Sequence, residues 1–289
     1  MPIEKITKDT EVTQSAEWFE KQYQHAYIDL NQRPKKPDGL FGIGQSVFNS
    51  KTNTNWVFTK GELSCISAPS KSFKSTFKSH IASTLLYGNN EAFNQWKGNR
   101  NTKETILDID TEQGRFFAYH TFNRVKRMCK GADISSIYYP FMLRSLTPTE
   151  RVDFVDAILK STRIKNPSIL FIDGIADLVE DTNDLIMSNK LVSKVMKWTN
   201  EYNIHVCCII HNAFGTYKAT GHLGSSIVKK AETVIQLEQL ENDSLTFKAS
   251  HQYSRGASFD EFFFTYDKQT GFLKQCDDIG NDFDKDNIF

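Results

Sequence analysis

The sequence has no excess of charge of either sign, because 35 Lys and Arg residues balance 35 Asp and Glu residues. A neutral chain lacks the overall basic field that attracts nucleic acid, so any such contact has to be local. It also lacks an apolar run that approaches the length of a membrane-spanning helix. Since its first residues are polar and charged, we expect a cytoplasmic protein with no membrane partner.

Cysteine is scarce, and its spacing excludes the usual thiolate metal sites. The five cysteines form no CxxC pair and no Cys/His ligand pattern. Cys65, Cys207 and Cys208 lie within apolar runs, where a free thiol behaves as a small hydrophobic side chain. We therefore expect reduced cysteines in a reducing compartment.

Glycine is missing from ISAPSKSFKSTF, residues 66–77, a stretch that otherwise ends like a phosphate-binding loop. Against the pattern GxxxxGK[ST], Lys74 and Ser75 match, whereas Ala68 and Phe73 replace the two glycines. A bulky residue held at positive φ costs about 1–2 kcal/mol. Taken alone, the stretch is better read as the lysine-rich beginning of a helix.

The order of apolar segments predicts an α/β fold. From Gly61, buried-type strands alternate with amphipathic helices, and consecutive strands follow near the C-terminus. This order predicts a mostly parallel sheet with helices on both faces, extended by C-terminal antiparallel strands. The predicted strands are 63–67, 105–110, 137–141, 168–173, 205–210, 233–239, 244–252 and 261–267.

Three segments make up the predicted domain organisation. Residues 1–60 contain a helix around Gln14–Leu30 and then a linker or a hairpin that leads into the main domain. Residues 61–275 form the core, and the acidic residues 276–289 form a flexible tail. Within the core, we expect Gly88 to cap one helix and either Thr147 or Thr149 to begin another.

Polar side chains follow three of the predicted strands, where open α/β sheets bind their ligands. Asp173 ends SILFID in the manner of a Walker B strand, Glu112 follows TILDID, and His211 follows HVCCII. Each has an ordinary alternative as a solvated turn charge or a polar strand end. Together with Lys74 and Ser75 they favour a nucleotide site.

These residues in this order resemble the RecA-like ATPases of the RepA and KaiC-like branch. The resemblance is closest to AAA-family ATPases of Bacteroidetes mobile elements, which are described as RepA-like helicases or mobilization proteins. It extends over about residues 61–267 and rests on SKSFKST, DTEQ, LFIDGIADLVEDTND, IIH, GHLGSS and SRGASFDEFFF. Relatives often carry a loop of the type PKSxKT in place of the glycine-rich form.

The resemblance implies that ATP and Mg²⁺ are the cofactors and assigns roles by position. Lys74 would contact phosphates, Ser75 and Asp173 would hold Mg²⁺, Glu112 would be the catalytic glutamate, and His211 would act as a sensor. Lys71 would be an additional loop lysine that compensates for the missing glycines. The whole nucleotide-binding loop would comprise Ala68, Pro69, Ser70, Lys71, Ser72, Phe73, Lys74, Ser75 and Thr76.

The resemblance further implies a homo-oligomer, as a hexameric ring or a filament, that binds single-stranded DNA. The segment 212–224 is either a DNA-gripping loop or a surface turn, and its candidate phosphate contacts are Lys218 and His222. Arg255 is either a catalytic arginine finger offered to a neighbouring subunit or an exposed turn residue. Two functions follow: a DNA helicase or DNA-transfer motor, and a weakly hydrolysing regulatory or scaffolding module.

Overall fold

The computed structural model describes residues 16–213, 216, 218–240 and 243–277, and the chain falls into two compact units, residues 1–36 and 37–289. The first unit contains helix α1 (Ala16–Ala26), whose residues are all exposed. The helix predicted for Gln14–Leu30 therefore ends earlier than expected, and Gln14 lies outside the described residues. None of the described helices is long and apolar enough to cross a membrane.

The second unit contains all the strands and the remaining helices that the structure describes. Its helices are α2 (Lys74–Tyr87), α3 (Arg115–Met128), α4 (Pro148–Lys160), α5 (Leu185–Tyr202) and α6 (Gly221–Lys230), with a short 3-10 helix at Ile175–Leu178. Its strands are β1 (Gly39–Phe48), β2 (Lys51–Thr59), β3 (Leu63–Ala68), β4 (Trp96–Gly98), β5 (Thr105–Asp110), β6 (Tyr138–Met142), β7 (Pro167–Asp173), β8 (His205–His211), β9 (Thr233–Leu240), β10 (Asp243–Ser254), β11 (Phe262–Asp267) and β12 (Phe272–Cys276).

Nine of the described strands form one large sheet in the order β12-β11-β10-β9-β3-β8-β7-β5-β6. The strands from β9 to β6 run parallel, and β10, β11 and β12 extend the sheet in antiparallel fashion. This arrangement confirms the predicted fold class. Every predicted strand is present, and β12 is an additional antiparallel strand that the sequence reading placed in no element.

The parallel strands carry apolar side chains to both faces of the sheet, as strands covered by helices on both sides do. On one face, Ile66, Ile106 and Phe171 pack in a core with α2 and the aromatic side chains near β4. On the other face, Cys65, Leu107 and Leu170 pack against α4, α5 and α6. Because side chains alternate along a strand, Asp108, Asp110 and Asp173 all fall on the α2 face.

The segment before β3 forms a hairpin, one of the two possibilities open from the sequence. Strands β1 and β2 pair in antiparallel fashion, and β4 joins them in a small sheet of order β2-β1-β4. Phe41, Val57 and Phe58 are fully buried in the same core as α2. The hairpin thus supports the helix that follows the phosphate-type loop.

Two predicted helix ends are observed. Gly88 caps α2 at φ 91, and its N–H donates to the carbonyl oxygen of Thr84. Thr147, rather than Thr149, begins α4 in a capping box with Glu150, and Pro148 occupies the first helical position. Both ends follow from local chemistry that the sequence displays.

Candidate nucleotide site

The loop between β3 and α2 turns tightly although it has no glycine. Lys71 (φ 61) and Phe73 (φ 57, ψ 22) both adopt the left-handed conformation that glycine ordinarily supplies. The Ser72 hydroxyl donates to the Pro69 carbonyl oxygen at 2.6 Å and closes the turn. Ala68 needs no such conformation, because it is the last residue of β3 and pairs with His211. The loop therefore places the strained conformation at Lys71 and Phe73.

Aromatic packing holds Phe73 in this conformation. Its ring stacks on Tyr266 of β11 at 4.3 Å between centroids and meets Phe247 of β10 edge-on at 5.6 Å. Such pairs contribute about 0.5–1.5 kcal/mol each beyond the area that they bury. This is comparable with the cost of the left-handed backbone. The antiparallel strands β10 and β11 thus form the surface, here called the seat of Phe73, against which the loop packs.

Lys74 lies at the beginning of α2 and points into the turn. Its ammonium donates to the Pro69 carbonyl oxygen at 2.8 Å and to His211 Nδ1 at 2.9 Å. Burial lowers the pKa of Lys74 to about 8, against the attraction of Asp173 and Glu112, which raises it. Lys74 is therefore a cation near neutral pH, close to the helix N-terminus that favours anions.

His211 connects Lys74 with Glu112. Its Nε2 atom lies 3.2 Å from Glu112 Oε1, and its Nδ1 atom lies 3.3 Å from Ser70 Oγ as well as near Lys74. Since an ammonium only donates, Nδ1 accepts, and the ring proton on Nε2 faces the carboxylate. The structure thus brings together Lys74, His211 and Glu112, three candidates from three different strand ends.

Glu112 is held by a residue that sequence reasoning did not assign to the site. Asp110 Oδ1 accepts from the backbone N–H groups of Glu112 at 2.9 Å and Gln113 at 2.7 Å. The Gln113 amide donates to the second Asp110 oxygen at 2.6 Å. Asp110 therefore fixes the turn that presents Glu112. The three carboxylates of LDIDTEQ divide into a buried pair and one exposed group, Glu112.

Asp173 ends β7 next to these groups and is 5% exposed. Its Oδ2 atom is buried and takes part in no hydrogen bond with a described residue. Ser75 is half-buried at the second position of α2. No three His, Cys, Asp or Glu side chains of the described residues form a metal-binding group. Asp173 and Ser75 fit Mg²⁺ bound in the usual way, by few protein oxygens together with phosphates.

Lys78 is a second cation at the site that sequence reasoning missed. Its side chain is fully buried one turn after Lys74, 2.7 Å from Asp108 Oδ1 and 3.2 Å from Asp173 Oδ2. The Tyr138 hydroxyl donates to the other Asp108 oxygen at 2.6 Å. Asp108 was a usable signal, because a carboxylate in the middle of an apolar strand requires a buried partner.

Arg255 lies away from this cluster. Arg255 follows Ser254, which pairs with Thr233 at the first residue of β9, whereas the loop that leads to Lys74 begins after Ala68, the last residue of β3. Thr233 pairs with Ser64 of β3, and the four residue steps from Ser64 to Ala68 correspond to about 13 Å along the strand. Arg255 instead donates to the Lys230 carbonyl oxygen and lies 3.9 Å from Glu62. Within its own chain it belongs to the opposite end of the strands.

The segment 212–224 is only partly a loop, which corrects the sequence reading. Asn212 and Ala219 form a β-bridge, and α6 already begins at Gly221. His222 is therefore a helical residue, while Lys218 precedes the helix, and both are exposed. Phe214, Gly215 and Tyr217 lie outside the described residues. Lys218 and Arg255 both line a groove of about 670 Å³, together with Ser225, Lys229, Gln252 and Tyr253.

Comparison with known proteins identifies the fold. No protein-family model matches the chain, and no curated protein matches it. Among solved structures, the chain is similar to the RadB recombinase, with a TM-score of 0.54 and 16% sequence identity over 76% of this chain and 93% of that one. At this identity the likeness concerns the fold alone. The chain has the RecA-like α/β fold seen in the RadB recombinase.

Proposed function

We propose that the protein is a Mg²⁺-dependent ATPase that binds ATP at the β3–α2 loop and hydrolyses it. The observation that carries the proposal is the connected set Lys74–His211–Glu112 at the carboxyl ends of the parallel strands. Open α/β sheets bind ligands at this edge. A lysine, a helix N-terminus and an exposed carboxylate are the groups that phosphoryl transfer requires.

The residues divide the work by position. The curled loop and Lys74 would hold the β and γ phosphates, and a phosphate oxygen would replace the Pro69 carbonyl and His211 as the partner of Lys74. Glu112 would orient the attacking water and accept its proton. His211, between Lys74 and Glu112, would report whether the γ phosphate is present. Mg²⁺ held by Ser75 and Asp173 would supply charge neutralisation at the phosphates.

ATP hydrolysis by purified protein tests this proposal. Lys74→Ala and Glu112→Gln should each lower turnover, Glu112→Gln by about a hundredfold or more, which is typical for loss of general acid–base catalysis. Lys103→Ala, an exposed lysine between β4 and β5, is the matched control and should turn over like wild type. Wild-type turnover no faster than that of both variants would refute hydrolysis at this site.

We further propose that the protein is a helicase or a related motor that acts on single-stranded DNA. It would act in the cytoplasm, in replication or transfer of a mobile element. Support comes from the groove that contains Lys218, Lys229 and Arg255, beside the exposed ring of Tyr253. Cations that contact phosphates and an aromatic face that stacks on bases are the two elements of single-strand binding. Stimulation of ATP hydrolysis by single-stranded DNA is the measurement.

Self-association is part of the same proposal. Helix α3 begins just after Glu112 and exposes Phe116, Phe117 and Tyr119, each more than 60% accessible. Exposed aromatic clusters of this kind mark interaction surfaces. A neighbouring copy that covers α3 would close the nucleotide site, and its Arg255 would be the candidate for a finger in trans. Light scattering with and without nucleotide tests this, and a monomer under all conditions would remove the role of Arg255.

A second candidate function is an ATP-binding regulatory or scaffolding module that hydrolyses slowly and acts through protein partners. It is favoured by the glycine-free loop, in which two residues carry left-handed strain, and by the zero net charge. The two functions differ in one result: tight ATP binding that requires Lys74, combined with turnover that neither DNA nor Glu112→Gln changes, supports the module.

A further inference from the structure

Lys78 is a buried cation at this site, and it lies beside Asp173, the carboxylate that we propose as a Mg²⁺ ligand. The lysine side chain is fully buried, as is that of Asp108, and its ammonium lies between Asp108 Oδ1 and Asp173 Oδ2. With two carboxylates this close, the ammonium and the carboxylates compensate one another's charge inside the protein.

Lys78 interacts more strongly with Asp108 than with Asp173. Asp108 receives a hydrogen bond from Lys78 at 2.7 Å and another from Tyr138 at 2.6 Å, so both of its oxygens are satisfied. Asp173 Oδ2 lies at 3.2 Å from Lys78 in an ion pair without hydrogen-bond geometry. Lys78 thus neutralises Asp173 only in part. The strength of its interaction with Asp173 depends on how strongly Asp108 competes for the same ammonium.

We propose that Lys78 is a built-in countercation that sets how strongly nucleotide binding depends on Mg²⁺. This inference rests on the proposed ATP site. A lysine beside Asp173 repels a divalent cation at that carboxylate and at the same time attracts the phosphates that the cation would otherwise neutralise. Both effects reduce the gain in ATP affinity that Mg²⁺ provides. Lys78 acts through Asp173 and is a positioning residue, without contact to the reacting atoms.

Two variants should change this gain in opposite directions. In Asp108→Asn, the ammonium loses its stronger partner and turns to Asp173, so the gain from Mg²⁺ should be smaller than in wild type. In the double variant Lys78→Met/Asp108→Asn, the buried pair is removed together, which folded proteins tolerate far better than removal of one partner. Asp173 is then free of the lysine, and the gain should increase by about tenfold, or about 1.4 kcal/mol.

The experiment measures the Kd of a fluorescent ATP analogue in saturating Mg²⁺ and in EDTA, with thermal unfolding to confirm that each variant is folded. The ratio of the Kd in EDTA to the Kd in Mg²⁺ should be smallest in Asp108→Asn, intermediate in wild type and largest in the double variant. Ratios that are equal, or that move in one direction in both variants, would show that Lys78 is only structural and overturn the inference.

Wild-type protein provides a test that does not depend on the folding of any variant. Chelation of Mg²⁺ should weaken binding of the analogue by less than about tenfold, since one positive charge remains in place. A larger loss overturns the inference while leaving the proposed ATP site intact. Absence of binding in both Mg²⁺ and EDTA would overturn the proposed function itself.

Discussion

Replacing Phe73 tests directly how a phosphate-type loop forms without glycine. Phe73→Ala and Phe73→Gly both remove the ring that packs against Tyr266 and Phe247. The lost burial, taken as half of the roughly 1.5–3 kcal/mol for a fully buried side chain, and the two lost aromatic pairs together give a destabilisation of about 2–4.5 kcal/mol in each variant. The variants differ only in their backbone, because glycine adopts φ 57 without strain and alanine does not.

The difference between the two variants can be worked out from this backbone angle. Relief of left-handed strain favours Phe73→Gly by about 1–2 kcal/mol. The greater freedom of glycine in the unfolded chain opposes it by about 0.4–1 kcal/mol. Phe73→Gly should therefore be more stable than Phe73→Ala by about 0.5–1 kcal/mol, although both should be less stable than wild type. Urea unfolding, with the slope m checked for equality among the variants, measures this difference.

Tyr119 provides the matched control for this pair. It is an exposed aromatic residue within α3, and helical backbone disfavours glycine relative to alanine by about 1 kcal/mol. Tyr119→Gly should thus be less stable than Tyr119→Ala, the reverse of the order at Phe73. If Phe73→Ala proves as stable as Phe73→Gly or more so, then Phe73 does not hold the left-handed conformation in solution, and the account of the loop fails.

Three further predictions concern the pH dependence of stability, the space around Gly174, and the lysines of the groove beside α6. Burial lowers the pKa of His80 and of His205 from 6.5 to about 3. The unfolded chain then binds more protons between these values, so the free energy of unfolding should fall as pH decreases from 6.5 toward 3, by up to about 1.4 kcal/mol per pH unit for each histidine. His205→Gln should remove its share of that slope in urea unfolding at pH 7, 6 and 5, and an unchanged slope would contradict the burial of a neutral ring. Gly174→Ala would place a Cβ atom 2.2 Å from Thr111 Oγ1 and 3.0 Å from Glu112 Cγ, whereas Gly88→Ala, at a similar φ, meets nothing within 4 Å. Gly174→Ala should therefore lose about 1–3 kcal/mol more stability than Gly88→Ala in the same assay, and equal losses would show that the turn after β7 has room. Lys218→Ala and Lys229→Ala should each weaken binding of single-stranded DNA, whereas Lys103→Ala should not. Each of the two groove variants should also reduce the slope of log K against log salt concentration by about 0.7 for each phosphate that is no longer neutralised. Equal slopes in all three variants would exclude the groove beside α6 as the DNA-binding surface.

The fold could be predicted from the sequence because its signals are local. Buried-type strands such as TILDID and SILFID are recognisable from apolar runs, and helix ends such as Gly88 and Thr147 from their cap chemistry. The position of Glu112, Asp173 and His211 at strand ends also follows from these runs. The geometry of parallel strands then brings the three side chains to one edge without any knowledge of distant contacts.

What the sequence could not show depends on contacts between segments far apart along the chain. The seat of Phe73 is formed by β10 and β11, and no periodicity near residue 73 indicates Tyr266 as its partner. Strand β12 has only five residues, and its polar residues Lys274 and Gln275 are adjacent, so it lacks the alternation that indicates a strand. Lys78 reads as an exposed helical lysine until β5 supplies Asp108 opposite it. Helix α6 was missed because GHLGSS begins with residues that are typical of loops.

The two lysines of α2 have partners of different kinds, so a phosphate of the proposed ATP would engage one of them and leave the other fixed. Lys74 and Lys78 lie one turn apart on the same side of the helix, so both face the strand ends. The partners of Lys74 are a carbonyl oxygen and a ring nitrogen, which an incoming phosphate would replace with a stronger, charge-assisted bond. The partners of Lys78 are two carboxylates in a buried network, so its release would leave uncompensated charge inside the protein. A bound phosphate would therefore engage Lys74 and leave Lys78 in place beside Asp173.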